Sequence, residues 1–308
     1  MTKKYINLDS QESIFFDREL EATKSETYDI EYPELEARNI LPVSMDVDPG
    51  AEFIRYEQYD QVGMAIVISS YNTALPRADV KGKEFISPIR SLGASYGYNI
   101  QEIRNAKYAG KPLERKKADA AKRAVRQKEN DVFLFGDSAH KLNGFINHPN
   151  ISTTTFPADG TGSSILWSTK TPLLILRDLN KLVNYIPENT KKVEAADSLV
   201  MPLTAFNFLK ATPIGDNADK SIWTRFQQDH PEIKNVYTLT ELETAGSGGT
   251  RRMLAYKKDK KKLTAEVPQD FEQLDVQPKG LEFEVPCHAR NGGVIVYYPL
   301  SVAYADGF

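Results

Sequence analysis

The sequence has a single cysteine, Cys287, among its 308 residues. No disulfide can therefore form within one chain, and a metal cluster built on several cysteines is excluded within one chain as well. No run approaches the roughly eighteen apolar residues of a membrane-spanning helix, and the first residues, MTKKYINLDSQES, lack the hydrophobic core of a secretory signal. Stability must therefore come from packing or from contacts between subunits.

Catalytic sequence motifs are missing too. The phosphate-binding pattern G-x-x-x-x-G-K-[ST], the dinucleotide pattern G-x-G-x-x-G, the metalloprotease pattern H-E-x-x-H and the hydrolase pattern G-x-S-x-G do not occur. The many acidic residues include no pair whose surroundings indicate one raised and one lowered pKa. We therefore predict no catalytic residues and no cofactor, and we expect that the chain is not an enzyme.

The four histidines do not form a recognisable site. His140 and His148 lie eight residues apart in a predicted loop, whereas histidine ligands of a metal usually lie closer together or act with cysteines. His230 is expected at a helix end. His288 follows Cys287 in a predicted strand, where neighbouring side chains point to opposite faces and cannot act as a nucleophile and its base. We predict no metal site and a half-buried cysteine.

Two segments have a composition that could bind a ligand. Residues 246–249, GSGG, are followed by two arginines and could hold an anion, but they do not begin a helix, so we favour a flexible loop. Residues 257–262, KKDKKK, could contact nucleic acid, and here we favour a solvated hairpin tip. Neither segment indicates a function by itself.

The composition is that of a folded globular protein, with 41% hydrophobic and 26% charged residues. The net charge of −3 argues against a general nucleic-acid binder. Residues 1–50 carry five basic and twelve acidic residues, whereas residues 51–130 carry fifteen and nine. An acidic arm lying on a basic surface, its own or a neighbour's, would explain this distribution, and so would solvated faces of uneven composition.

The first part of the chain predicts an arm and a long hairpin. Residues 9–24 are a possible short helix, because Asp9 and Glu12 form a capping-box pattern, and the following residues predict an extended arm. Residues 51–70 show β patterns and lead into a polar tip at 72–82, after which the chain returns as a second β arm. A long hairpin is marginally stable alone and usually leans on a partner.

Two helices are predicted to follow each other directly. Asn99, with Glu102 three residues later, begins a helix that Gly110 ends. The longest predicted helix covers residues 112–135 and is closed by Gly136. Most of its side chains are charged, and its alanines are expected to lie close against a sheet. Its thin apolar face consists of Leu113, Ala120, Ala121, Ala124, Val125, Val132, Phe133 and Phe135.

The second half mixes helices and strands, which predicts an α+β class. Apolar residues recur at helical spacing from 171 to 186. Residues 251–256 and 263–267 are predicted to pair as a hairpin around the lysine-rich segment. The other predicted elements are helices at 203–209 and 222–228 and strands at 198–201, 233–239, 281–287 and 293–298.

A set of short motifs follows in order along the chain. They are FFDREL (15–20), YPEL (32–35), YDQVGMA (59–65), RSLGASYGY (90–98), AGKPL (109–113), END (129–131), GFINHP (144–149) and an ending from GG (292–293) through YP (298–299) to DG (306–307). Each is weakly specific, but together the motifs resemble one branch of the major capsid proteins of tailed bacteriophages. This resemblance covers nearly the whole chain and implies the α+β phage capsid fold, which encapsulin nanocompartments share.

The resemblance implies a division of the chain into the parts of that fold. Residues 1–50 would be the N-terminal arm, and residues 51–92 the extended β-hairpin loop with its base. Residues 93–137 and 263–308 would form the peripheral domain, which contains the long spine helix. Residues 138–262 would form the axial domain. The family also implies a separate scaffolding protein or none, because no long scaffolding-like extension precedes the arm.

The resemblance also implies a function. The chain would assemble with itself, as pentamers and hexamers, into the icosahedral head of a tailed phage around double-stranded DNA, held by weak and non-specific contact. Scaffolding, portal and cement proteins are possible partners, and no membrane is involved. The protein would reside in the virion after assembly in the host cytoplasm. Some family members cross-link a hairpin lysine to an asparagine, but we predict no cross-link at Lys81 or Lys83.

Two alternatives stay open at this point. The first is an encapsulin-like nanocompartment shell, which has the same fold and a protein cargo. The second is a soluble α+β enzyme, because catalytic carboxylates can be distant in sequence.

Overall fold

The computed structural model describes residues 32–62, 79–110, 113–215 and 220–308. The predicted helix at 9–24, the apolar strand segment at 64–68, most of the predicted hairpin tip and Pro112 lie outside these residues. Residues 35–308 form one compact unit in which helices and strands are mixed throughout, so the predicted α+β class is confirmed.

The described residues contain six α-helices. The side chain of Asn99 accepts a hydrogen bond from the N–H of Glu102, and the side chain of Glu102 accepts one from the N–H of Asn99, which confirms the predicted capping box. Gly110 ends that helix with a φ of +65°. The helices are α1 (Ala37–Ile40), α2 (Ile100–Ala109), α3 (Leu113–Phe135), α4 (Pro172–Asn189), α5 (Leu203–Ala211) and α6 (Ile222–Asp229).

The strands of the described chain form five sheets. They are β1 (Val43–Ser44), β2 (Phe53–Val62), β3 (Asp79–Pro88), β4 (Arg90–Asn99), β5 (Gly136–Asp137), β6 (Leu142–Asn143), β7 (Thr153–Thr155), β8 (Ser198–Pro202), β9 (Asn235–Leu239), β10 (Arg252–Tyr256), β11 (Leu263–Glu266), β12 (Gln269–Gln273), β13 (Gln277–Lys279), β14 (Glu282–Asn291), β15 (Gly293–Val296) and β16 (Val302–Asp306).

Each sheet has a simple order. The largest runs β7-β16-β10-β8-β9, and a three-stranded sheet runs β1-β11-β15. In a third sheet, β14 pairs with β4 along one edge and with β12 and β13 along the other. Two-stranded pairs are formed by β2 with β3 and by β5 with β6. The last strand, β16, thus belongs to the sheet built mainly by residues of the segment 138–262.

The predicted hairpin between residues 251–256 and 263–267 is wrong. β10 pairs with β8 and β16, whereas β11 pairs with β1 and β15, so the two strands lie in different sheets. The lysine-rich segment between them is a crossover and not a hairpin tip. Both strands are buried on both faces. Such a pattern predicts a strand but does not identify the neighbouring strand.

The long helix α3 confirms the predicted spine, although its buried side differs in part. The prediction is confirmed for the buried residues Ala121, Val125, Val132 and Phe133 and is wrong for the exposed residues Ala120, Ala124 and Phe135. Ala121 packs against the sheet of β4 and β14. Because an α-helix turns by about 100° per residue, Ala120 and Ala124 lie on the flank beside this contact.

The glycine that ends α3 cannot be replaced without strain, because its backbone has a positive φ and no room is left for a Cβ. Gly136 has a φ of +76°, and a Cβ at this position would lie 2.5 Å from the carbonyl oxygen of Leu142. Gly144 lies against the same turn, because its Cβ would be 2.3 Å from the N of Gly136. The two glycines let the chain fold back tightly after the spine helix.

The five-stranded sheet has a hydrophobic core on each face. On one face it packs with α4, α5 and α6. The predicted apolar side of α4 is confirmed except at Leu173, which is exposed, and its buried members are Ile175, Leu176, Leu179, Leu182, Val183 and Ile186. Burial contributes roughly 1.5–3 kcal/mol for each such side chain, which makes this face a main source of stability.

The opposite face of that sheet packs with the end of α3 and the loop that follows it. The hydroxyl of Tyr304 donates to the carbonyl oxygen of Phe145 and accepts a hydrogen bond of 3.2 Å from the N–H of His148. Arg252 donates two hydrogen bonds of 2.7 Å to the carboxylate of Asp306. Buried polar contacts therefore fix the loop that joins the spine helix to the sheet.

Acidification is expected to destabilise the fold through His148. The side chain is buried, and burial lowers the pKa of His148 from 6.5 to about 4. The unfolded chain binds a proton near pH 6.5, whereas the folded chain binds it only near pH 4, so the free energy of unfolding falls as the pH drops between these values. At roughly 1.4 kcal/mol per pKa unit, the full loss is about 3 kcal/mol.

Urea unfolding of the wild type and of His148→Asn between pH 4 and pH 7.5 measures this effect. The Nδ1 of His148 accepts a hydrogen bond of 3.3 Å from the N–H of Asn150, and asparagine keeps an acceptor near that position. We expect the variant to lose this part of the pH dependence. Equal pH slopes for the two proteins would show that His148 does not carry it.

Candidate assembly surfaces

The hairpin β2–β3 has two faces of different character. Its strands are ten residues long and pair from Phe53 opposite Pro88 to Val62 opposite Asp79. Side chains alternate between the faces of a strand pair, and directly opposite residues share a face. The register therefore assigns every residue of the hairpin to one face or the other.

The inner hairpin face attaches the hairpin to the body. Ile54 is buried in a cluster with Ile89 and Ile295. The ring of Tyr56 stacks on Phe85 at 5.1 Å between centroids and meets Tyr297 edge-on at 4.9 Å. Aromatic pairs of these geometries contribute about 0.5–1.5 kcal/mol each beyond the area they bury. These contacts therefore fix the orientation of the base of the hairpin relative to the body.

The outer hairpin face carries large apolar side chains in water. Its exposed apolar residues are Phe53 (57%), Tyr59 (65%), Val80 (57%) and Ile86 (57%). The same face carries an ion pair between Arg55 and Glu84 at 2.6 Å, which is exposed and contributes at most about 1 kcal/mol. Exposed large apolar side chains that are interspersed with charged ones are typical of a surface that another protein covers.

A cluster of four charges ties α3 to distant parts of the chain, and we call it the spine clamp. It consists of Arg38 on α1, Arg126 and Glu129 on α3, and Asp270 on β12. Arg38 donates to Glu129 at 2.9 Å and to Asp270 at 3.0 Å. Arg126 donates to Asp270 at 3.0 Å and to Glu129 at 3.5 Å. The Glu129 side chain is only 4% exposed.

The two arginines of the spine clamp stabilise the ionised form of Asp270. Partial burial acts to raise the pKa of Asp270, but the N–H of Phe271 and the guanidinium groups of Arg38 and Arg126 outweigh it, so the pKa is lowered. Beside the clamp, Asn130 accepts a buried hydrogen bond of 3.0 Å from the N–H of Ala37. The short helix α1 is therefore held against the spine helix.

The structure does not bring the histidines and the cysteine together into a site. Cys287 is buried, and burial raises the pKa of its thiol. His288 follows it on the same strand, so the two side chains lie on opposite faces of β14. His230 lies at the end of α6 and contacts Asn180 and Glu232. The described residues include no group of three or more His, Cys, Asp or Glu that could hold a metal ion.

The glycine-rich and lysine-rich segments are largely engaged within the chain. The N–H of Ser247 donates to the carboxylate of Asp306 at 3.1 Å, so an anion of the protein itself occupies that loop amide. Of the lysines in the crossover, Lys258 donates to Tyr237, and Lys262 pairs with Glu194. These contacts hold the segment between the sheets of β10 and β11. The sequence pattern did not reveal this structural role.

The comparisons with known proteins decide the family. A sequence model of the major capsid proteins matches residues 63–308, which is well over half of the chain. The chain belongs to this family. It is therefore a structural shell protein of a phage capsid, as its resemblance implied. A search of curated protein sequences gave no significant match. In the described part of this capsid protein, no helix combines the length and apolar character needed to cross a membrane.

Solved structures confirm the fold of this capsid protein. The chain is similar to the capsid of Myoviridae phage XM1, with a TM-score of 0.80, 17% identity and coverage of 96% of this chain and 99% of that chain. For a chain of Mycobacterium phage Bobi the TM-score is 0.63, with 11% identity and coverage of 93% and 94%. For a virus-like particle from Pyrococcus furiosus the values are 0.53, 14%, 87% and 90%. The predicted phage capsid fold is confirmed.

Proposed function

We propose that this capsid protein forms the icosahedral head of a tailed phage by assembling as pentamers and hexamers around double-stranded DNA. The observation that carries the proposal is the match to the XM1 capsid, which spans nearly the whole of both chains. The exposed outer hairpin face supports it, because a subunit of a closed shell needs apolar surface that only neighbouring copies cover. We propose no enzymatic activity for the chain.

The predicted division into domains is part of this proposal. The parts would be an arm (1–50), a hairpin loop (51–92), a peripheral domain (93–137 and 263–308) and an axial domain (138–262). Within the arm, Ala37, Ile40 and Leu41 pack in the core of the body. The spine clamp and the contacts of α3 with β4 and β14 support the peripheral grouping. Strand β16, however, pairs with β10, which belongs to the axial segment. We therefore place residues 302–308 in the axial domain.

Partners other than the chain itself are proposed on the family resemblance alone. They are a scaffolding protein, a portal, cement proteins and packaged DNA, with assembly in the host cytoplasm. The net charge of −3 fits weak and non-specific contact with DNA, which confinement in the head makes sufficient.

An encapsulin-like compartment is the second candidate, because the resemblance implies the same fold for it. The chain also matches the virus-like particle from Pyrococcus furiosus. Its TM-score of 0.53 is well below the 0.80 for the XM1 capsid, so we favour the phage head. Electron microscopy of the purified protein, expressed alone and with its neighbouring gene products, tests shell formation. DNA inside purified particles would support the phage head, and an enzyme inside them would support the compartment.

Deleting residues 1–30 is expected to leave a folded, soluble body that does not close shells. The deleted residues lie outside the described part of the chain, and the hydrophobic cores are formed by residues from Ala37 onward. Circular dichroism checks that the body folds, and electron microscopy checks for particles. Particles of normal shape and yield from the deletion variant would contradict the proposed role of the arm.

A further inference from the structure

Positive charge is concentrated in one part of the long helix α3. Residues 115–128 carry seven basic side chains and a single acidic one, Asp119, although the whole chain has a net charge of −3. A solvated helix face usually mixes charges of both signs, which pair at a spacing of three or four residues. An excess of one sign is repulsive within the helix and attracts an acidic partner.

Three of the seven basic side chains are engaged within the chain. Lys117 pairs with Glu102 at 2.9 Å. Arg126 belongs to the spine clamp, and Lys128 lies 3.5 Å from the carboxylate of Asp137. The other four lie in the first half of α3, and we call them the basic face: Arg115, Lys116, Lys122 and Arg123.

The basic face is turned away from the sheet on which α3 packs. Ala121 contacts this sheet, and an α-helix turns by about 100° per residue. All four residues of the basic face therefore lie at least about 100° around the helix from Ala121. Three of them are exposed, and Arg123 is half-buried. Asp119 lies on the same side and pairs with Arg115 at 4.0 Å, so it offsets only one of the four charges.

The spacing of the basic face suits the backbone of double-stranded DNA. Arg115 and Lys122 form one row along the helix and are seven residues apart. Lys116 and Arg123 form a second row with the same spacing. Seven residues span about 10.5 Å of a helix axis, and three phosphate steps on one DNA strand span about 10 Å. Long basic side chains in such rows can therefore neutralise phosphates of one strand.

We propose that the basic face of α3 contacts the packaged double-stranded DNA and lies on the inner surface of the shell. This proposal rests on the proposed shell function and names the surface that meets the DNA. The contact carries no sequence information, because it is made to phosphate oxygens and not to base edges. With four basic side chains for each subunit, the contact is weak and depends strongly on salt.

An acidic protein segment is the competing occupant of the basic face. Residues 1–31 of a chain carry eight acidic side chains, but four basic ones are interspersed with them. Double-stranded DNA instead presents one negative charge for about every 1.7 Å of its axis and no positive charge. The charge of the basic face is therefore matched better by DNA.

Replacing Lys116 and Lys122 together with glutamine tests the DNA contact. Both residues are exposed, and glutamine is about as good a helix former as lysine, so thermal unfolding of the subunit should change little. The full-length unassembled subunit is titrated against a short fluorescent DNA duplex of mixed sequence at about 50–200 mM salt. We expect at least about tenfold weaker binding at the lowest salt, and a slope of log K against log salt that is smaller by about 1.8.

The matched control replaces Lys191 and Lys192 with glutamine. These two lysines are exposed and follow α4, so the control has the same net charge as the double variant of α3. A general effect of charge would weaken DNA binding equally in both proteins. We expect the control to bind the duplex as the wild type does and with the same salt slope.

Closed shells give a second, independent readout of where the basic face lies. Duplex added to intact empty shells meets their outer surface. We therefore expect intact wild-type shells to bind it no better than shells of the double variant do, and the difference to return when the shells are dissociated. Stronger binding by intact wild-type shells would place the basic face outside and overturn the proposal.

The outcomes separate the two proposals. Equal salt slopes for the wild-type subunit and the double variant would overturn the DNA contact and leave the shell function intact. The contact would also be overturned if polyglutamate displaced the duplex at an equal concentration of charge, because an acidic protein segment would then fit the basic face as well. If the wild type forms no shells at all, the proposed function fails, whereas the salt slopes of the subunit still test the basic face.

Discussion

Replacing Glu129 with glutamine is expected to lower the free energy of unfolding by about 3 kcal/mol. Glutamine keeps the shape of the side chain but removes the charge that Arg38 and Arg126 share. These arginines are 27% and 24% exposed, so water replaces the lost partner only in part. Breaking a buried ion pair costs about 3–5 kcal/mol, and we expect the lower end because Asp270 still contacts both arginines.

Denaturant unfolding of the unassembled subunit, at one fixed protein concentration, measures this change, since assembly would itself add apparent stability. Asp119→Asn is the matched control on the same helix. Asp119 pairs with Arg115 at 4.0 Å, and both side chains are well exposed, so its loss should change stability by less than about 0.5 kcal/mol. If Glu129→Gln is no less stable than this control, the spine clamp does not stabilise the fold.

The elements that the sequence predicted correctly depend on near neighbours. The capping box of α2 involves Asn99 and Glu102, which are three residues apart, and the apolar side of α4 follows from helical spacing within one segment. Such rules need no knowledge of the rest of the fold. The C-terminal end of α3 at Phe135 could be predicted for the same reason. The predicted hairpin tip at 72–82 is wrong for residues 79–82, which belong to strand β3 and pair with β2.

The features that sequence reasoning missed join residues far apart in the chain. The spine clamp links Arg38 to Glu129, 91 residues away, and to Asp270, 232 residues away. No local pattern encodes such a pair, because its stability depends on burial that only the fold creates. The different sheets of β10 and β11 were missed for the same reason, since a strand pattern names no partner.

Two of the motifs that support the resemblance to capsid proteins have no evident physical reason in the sequence alone. The structure supplies a reason for each. In END (129–131), Glu129 belongs to the spine clamp and Asn130 holds the backbone of Ala37. In GFINHP (144–149), Gly144 allows the close approach to Gly136 described above, and His148 donates its N–H to a buried tyrosine. These motifs therefore shape the subunit itself.

Ile86→Lys is expected to prevent the closure of shells while leaving the subunit folded. Ile86 is 57% exposed on the outer hairpin face, so a lysine there stays hydrated in the free subunit and should change stability by no more than about 0.5 kcal/mol. In a shell a neighbour would cover this position. Burial of an isoleucine contributes about 1.5–3 kcal/mol, and loss of about 2 kcal/mol corresponds to a roughly thirtyfold weaker contact.

Repetition makes the effect on the shell larger than the effect on one contact. Every subunit presents the same hairpin, so a single substitution weakens each copy of the contact, and closure requires all of them. Sedimentation and electron microscopy measure the yield of closed particles, and circular dichroism confirms the fold. Ile86→Val keeps an apolar side chain and should assemble almost as the wild type does. Normal shells from Ile86→Lys would mean that the outer hairpin face stays in water after assembly.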